Sequence, residues 1–279
     1  MAALVYRVPP DGKLELATID PKGNGKLDRA SAETELEALT SEIDELQELL
    51  YGAGTHSLLV IVQGIDTSGK DGTVRKVFNK VSPLGSYVHS FKVPTEEELG
   101  HDFLWRVHRV TPQRGMIGIF NRSHYEDVLV VRVHNLVPET VWRKRYRMIN
   151  DFEHLLAASN TIILKFFLHI SKEEQAERLL AREKETSKAW KLSAGDWRER
   201  EHWEDYMAAY TEALERCSTA YAPWIIVPAD RKWYRNYAVA KTVVETLRPY
   251  KDDWLAYLGK VGEQRLAELR AYRGEGVTG

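Results

Sequence analysis

Cysteine is almost absent from this chain: Cys217 is the single one in 279 residues, which excludes an intramolecular disulfide and any cysteine-built zinc site. No set of the nine histidines has zinc-ligand spacing either. Long apolar runs are missing, so no segment reads as a membrane-spanning helix. Met1–Pro10 lacks a signal-peptide core, and a reducing, cytoplasmic setting is expected. Charge of one sign is lacking too. Lys and Arg number 39 against 41 Asp and Glu, a net charge of −2, so neither nucleic acid nor an anionic membrane is demanded as a partner. Any anion site must therefore arise from local clustering.

What is present is one decisive stretch. Leu58-Leu59-Val60-Ile61-Val62-Gln63, short enough for a buried parallel strand, runs into Gly64-Ile65-Asp66-Thr67-Ser68-Gly69-Lys70-Asp71-Gly72-Thr73. This is the pattern of a phosphate cradle. Small residues let backbone N–H groups converge on an anion at a helix N-terminus, and a lysine adds a point charge. Asp71 stands where a Ser or Thr usually ligates magnesium, and Asp66 places a second carboxylate inside the loop. Two carboxylates beside phosphate are costly without a cation between them, so the pair points to Mg²⁺. Helix capping by Asp71 and turn formation by Asp66 are the plainer alternatives.

Residues 1–30 read as an extended N-terminal arm with no core of its own, rich in Pro, Gly and charge over 9–30. Leu36, Leu39, Ile43, Leu46 and Leu50 recur at helical spacing, and Tyr51-Gly52-Ala53-Gly54 ends that helix. Strands are expected at 58–63, 86–91, 115–120, 161–168 and 224–228, separated by helical patterns. That alternation predicts an α/β fold, a mainly parallel sheet flanked by helices on both faces, with ligands at the carboxyl ends of the strands. Residues 96–109 read as one amphipathic helix. A basic helical insertion over about 171–217, with Arg178, Arg182 and Lys191, reads as a hinged lid or as a solvated charged pair. A C-terminal helix and tail fill 251–279.

The second chemistry-bearing segment is Phe120-Asn121-Arg122-Ser123-His124-Tyr125-Glu126-Asp127. It follows an apolar strand, where P-loop enzymes place a magnesium-organising carboxylate. Asn121 ends the strand here, and the acids come later, on the first turn of an expected helix. Arg122 offers a planar fork for phosphate oxygens, and Glu126 could reach the site through its longer side chain. His124 is better read as a hydrogen-bonded structural residue than as a base.

Together these residues resemble the polyphosphate kinase 2 family. The resemblance rests on Gly64–Thr73, Phe103-Leu104-Trp105-Arg106, Phe120–Val130, Lys165–Ser171 with Glu173-Glu174-Gln175, Trp190-Lys191-Leu192-Ser193, Ala222-Pro223-Trp224 and Pro228-Ala229-Asp230. It spans roughly residues 30–250. It implies a P-loop kinase domain at 31–250 with its helical lid, and transfer of phosphoryl groups between inorganic polyphosphate and nucleotides. The implied cofactor is Mg²⁺, for which Mn²⁺ could substitute, and the implied assembly is a homodimer or homotetramer.

Carried over by position, the resemblance implies catalytic roles for Asp66, Lys70, Arg122 and Glu126. Metal ligands are expected at Asp66 and Glu126, with Asp71 and Asp127 as further candidates. Phosphate contacts are expected from Gly64, Gly69, Lys70, Asp71, Gly72, Thr73, Arg75, Arg122, Arg178 and Lys191. Asn121 and Glu126 resemble the subclass that accepts both nucleoside mono- and diphosphates, implying AMP to ADP to ATP. Glu183–Ala189 departs from the family's acidic-proline lid stretch. Two other readings use the same loop. An ATP-dependent nucleotide or nucleoside kinase would share it, and a non-catalytic nucleotide switch is disfavoured because Asn79-Lys80-Val81-Ser82 lacks the Asp of a guanine-reading motif.

Overall fold

Every residue of Ser57–Gln63 is buried, as required of a strand covered on both faces. This is β2 of a six-stranded sheet in a computed structural model that describes residues 4–10, 12–23, 27–184 and 194–273. The strands are β1 (Tyr6–Arg7), β2 (Ser57–Gln63), β3 (Ser86–Ser90), β4 (Ile117–Asn121), β5 (Thr161–His169) and β6 (Trp224–Pro228). The first helices are α1 (Arg29–Ala53), α2 (Lys70–Val77), α3 (Glu96–Leu99), α4 (Trp105–His108), α5 (Val130–Val133) and α6 (Glu139–Ala158). After β5 come α7 (Lys172–Lys184), α8 (Ala194–Glu201) and α9 (Trp203–Arg216), and after β6 come α10 (Lys232–Leu247) and α11 (Lys251–Tyr272).

The sheet order is β1-β6-β5-β2-β4-β3. All neighbours are parallel except β1, which pairs antiparallel with β6. Because β2 lies between β4 and β5, the chain leaves it toward one edge and later returns to its other side. That reversal opens a crevice at the carboxyl ends of the central strands. α1 packs on α10 and α11, and α10 on α2, while α6 covers β5 and joins α5. The expected layers are therefore present.

Local chemistry explains the element ends. Asp28 caps α1 through the Ser31 amide, and Gly54, left-handed at φ 59°, closes it. β4 begins two residues later than expected because Gly115, at φ 86°, forms a turn bonded to the His56 carbonyl. The helix expected over 96–109 is instead two single turns. Gly100 ends α3, and Asp102 accepts the Leu104 amide to start a new segment. The arm folds onto its own body: Val8, Leu14 and Leu16 are buried in the common core, and Ser218 donates to the Val8 carbonyl at 2.5 Å. α11 is held chiefly by its first turn, with Trp254 its one buried residue. No described helix is long and apolar enough to cross a membrane.

Candidate active site

A cleft of about 360 Å³ opens at the carboxyl ends of β2, β3 and β4. Its walls are the loop Asp66–Gly72, the β3 exit Ser90-Phe91-Lys92, the pair Asn121-Arg122, and Arg182 from α7. The loop's shape follows from its left-handed residues: Gly64 (φ 155°), Thr67 (φ 67°) and Gly69 (φ 98°). Gly69 has no room for a side chain, since a Cβ there would lie 1.9 Å from Nη1 of Arg235. α2 starts at Lys70, as expected. Its ammonium is buried and folds back to donate to the carbonyls of Gly64 at 2.7 Å and Ile65 at 3.3 Å. Lys70 is thus part of the loop's scaffold as well as its charge.

Asp66 receives a 2.6 Å hydrogen bond from Nη2 of Arg122, and Nζ of Lys70 stands 3.9 Å away. Burial pushes the Asp66 carboxyl up, but Lys70 and Arg122 outweigh it and hold it below its ordinary range. Glu126 behaves oppositely. It lies in a short 3₁₀ turn, His124–Asp127, and burial raises its pKa despite Arg122 and Lys70. The Asp66 charge adds to that rise, while Lys70 and Arg122 act on both carboxylates. Arg122 carries a φ of 64°, with its amide bonded to the Val62 carbonyl. Asn121 donates to Asp71 at 2.7 Å, so a neutral amide separates two places where acids are expected.

Several expected site residues lie elsewhere. Asp127 points away: its carboxylate accepts from Arg145 of α6 at 2.9 Å, which removes it from the metal candidates. Thr73 is buried and its hydroxyl bonds back to the Gly69 carbonyl at 3.1 Å, so it stabilises the first helical turn. Arg75 is exposed on α2 and does not line the cleft. Arg178 does not face the cleft either. Nε donates to Glu174 at 2.6 Å, Nη1 to the carbonyls of Thr67 and Ser68, and Nη2 to those of Ala229 and Asp230. Its donors are consumed by backbone, which makes it a clamp on the loop. Lys191, with Trp190, lies outside the described residues.

Sequence reasoning missed Lys92 and Arg182 as cleft walls, and Gln175, whose amide donates to the Asp66 carbonyl at 3.2 Å. Lys92 could have been found, because it follows a strand ending at the same sheet edge. His124 is fully buried and bonded to Glu153 at 3.2 Å.

The arrangement is a cation-lined crevice with the carboxylates of Asp66 and Asp71 in its wall, suited to phosphates. Across residues 26–253 the sequence matches the family description Polyphosphate kinase 2. The chain belongs to the polyphosphate kinase 2 family. It is 52% identical to an AMP/ADP-polyphosphate phosphotransferase of Meiothermus ruber, over 87% of this chain and 91% of that one. An ADP-polyphosphate phosphotransferase of Rhodopseudomonas palustris is 46% identical, over 77% and 79%. The fold matches the crystal structure of polyphosphate kinase 2 from Arthrobacter aurescens TC1 with a TM-score of 0.84 at 41% identity, covering 90% of this chain and 93% of that one. In this member of the polyphosphate kinase 2 family, the loop and the pair Asn121-Arg122 face each other across the cleft.

Proposed function

We propose that this chain transfers phosphoryl groups from inorganic polyphosphate to AMP and ADP, giving ADP and ATP reversibly. The observation that carries it is the cleft, where Lys70, Lys92, Arg122 and Arg182 surround Asp66, in a chain that aligns over nearly its whole length with a relative named for AMP and ADP. In-line phosphoryl transfer asks little covalent chemistry of a protein and much positioning and charge compensation. Lys70 and Arg122 offset charge on the transferring group, Arg122 by a two-pronged fork. The Lys70–Gly72 backbone supplies N–H donors at the start of α2, the Thr73 amide being bonded to the Gly69 carbonyl. Helix α7 brings Arg182 to the cleft wall, where it begins a cover that would exclude water.

Asp66 and Glu126 would hold Mg²⁺. Among the described residues no three acidic, His or Cys side chains form a ready metal cluster, which fits an ion that takes most of its oxygens from phosphates and water. When bound, that ion neutralises phosphate oxygens during transfer. We place the enzyme in the cytoplasm, consistent with the free buried thiol of Cys217. Assembly as a homodimer or homotetramer is supported by exposed Leu255, Leu266 and Leu269 on α11.

The test is an assay of the purified chain with polyphosphate, Mg²⁺ and AMP but no ATP. ADP should appear first and ATP after it. Absence of both, with turnover of AMP only when ATP is added, would replace this reading by an ATP-dependent kinase.

A further inference from the structure

A second guanidinium lies against the phosphate loop, outside the cleft. Arg235, in the first turn of α10, is 3% exposed. Its Nη1 donates to the Ser68 carbonyl at 3.2 Å, and its Nε and Nη2 donate to Oδ1 of the adjacent Asn236 at 3.2 and 2.9 Å. Among the described residues no carboxylate pairs with it. The charged group nearest in effect is another cation, Arg178, which shares the Ser68 carbonyl at 3.1 Å. The Arg235 guanidinium fills the space that a side chain on Gly69 would need, and Nη2 stands 3.4 Å from where a Cβ on Gly72 would be. Two glycines of the cradle thus admit a cation on the face turned from the ligand.

A buried charge without a counter-charge is costly, and a like charge beside it adds to the cost. Burial and Arg178 together push the Arg235 pKa down to about 9, in line with that cost. An arrangement that is unfavourable in the free protein needs an anion elsewhere to offset it. Across the loop backbone, on the other side of Gly69 and Gly72, lies the cleft. We infer that Arg235 is a positioning residue for polyanion binding: its uncompensated charge, packed under Gly69 and Gly72, is offset only when polyphosphate or nucleotide phosphates occupy the loop. Field lines through a thin, dry backbone layer are weakly screened, so the charge acts without touching the ligand. This rests on the loop being the phosphate site.

The test compares the full-length chain with Arg235→Met, which keeps bulk but not charge, and Arg235→Lys, which keeps charge but not the fork. Thermal unfolding is followed with and without tripolyphosphate, and initial rates are measured against polyphosphate at several salt concentrations. Without ligand, Arg235→Met should melt at or above the wild-type midpoint. Its tripolyphosphate-induced shift should fall to less than half, and its KM for polyphosphate should rise on the order of tenfold with kcat little changed, as for one charge acting over about 10 Å at an effective dielectric near 20. The salt dependence of KM should flatten, and Arg235→Lys should recover most of the shift. If the wild type is not stabilised by tripolyphosphate, the loop assignment itself fails. If the wild type is stabilised and Arg235→Met equally so, only the role of Arg235 falls. An Arg235→Met chain that melts well below wild type or does not fold, with Arg235→Lys no better, would make Arg235 a structural pin and overturn the inference.

Discussion

Arg122 adopts a left-handed backbone at φ 64°, which costs a non-glycine residue about 1–2 kcal/mol. The amide bond to Val62 and the 2.6 Å bond to Asp66 hold it there. The strain aims a cation at Asp66, a carboxylate held in its charged form. Glu126 is the complementary case, a carboxylate that burial makes reluctant to ionise. Its folded-state pKa lies above the ordinary 4.5, so between those two values the native protein binds more protons than the unfolded chain. Stability from this group therefore declines as pH rises through that window. A role in holding a cation needs the ionised form, so activity should run the other way. As pH falls, kcat/KM should begin to drop above the usual glutamate range. Asp66, held low, stays charged through the same window and loses its pairs only below 3.8. Comparing pH profiles of wild type and Glu126→Gln checks this: the variant should be at least about tenfold slower and should lack the acid limb. An identical limb in both would remove Glu126 from the reaction.

At the scale of elements, what could be read from sequence was what lies close in the chain. The β2–loop–α2 unit stood in sixteen consecutive residues, and its strand, glycines and helix start are where they were expected. The fates of Asp127 and Arg178 were not legible, because their partners come from afar: Arg145 on α6 for one, the 67–68 and 229–230 carbonyls for the other. In the three-residue periodicity of a 3₁₀ turn, adjacent Glu126 and Asp127 face different surroundings, which residue type alone does not reveal. Lys165 shows the same limit. It sits in an apolar strand, fully buried, with Nζ donating to Glu153 at 2.6 Å, the Cys217 carbonyl at 2.6 Å and the Tyr125 hydroxyl at 2.9 Å. Glu153 also bonds His124 and Tyr125, the residues just before Glu126. This network ties the His124–Asp127 turn to β5 and α6. Losing either charge alone strands the other in a dry interior, so Lys165→Met and Glu153→Leu should each cost roughly 3–5 kcal/mol. The double variant should cost far less than their sum. Denaturant unfolding of the four proteins measures the coupling, and simple additivity would show that the pair does not act as a unit.

For the molecule as a whole, strand order was the least legible feature, since nothing in a run such as Trp224–Pro228 says which strand it will join. The arm illustrates this. Composition marked it as extended and without a core of its own, and pairing of Tyr6 and Arg7 with Ile226 and Ile225 fixes it to the sheet of its own chain. From there it runs along the sheet to the carboxyl edge. Ile19 offers its carbonyl to His169 at 3.2 Å, and Pro21 accepts the Asp230 amide at 3.0 Å. Asp230 in turn receives the Ser171 amide and hydroxyl at 2.8 and 2.9 Å, just before α7. The arm therefore links the far edge of the sheet to the root of α7, whose Arg182 lines the cleft. Removing residues 1–23 should have two separable consequences. Val8, Leu14 and Leu16 leave the core, at about 1.5–3 kcal/mol each as an upper estimate, so the unfolding midpoint should fall by many degrees. The uncovered edge of β6 should also promote association at high protein concentration. A milder variant, Pro21→Gly, keeps the core contacts while loosening the turn that holds Asp230; it should raise KM for polyphosphate about two- to fivefold, within the roughly 1 kcal/mol scale of a single backbone hydrogen bond, with the midpoint changed little. Unfolding curves and initial rates for both variants decide the matter: a truncated chain that melts like the intact one would show that the arm is only draped over the fold.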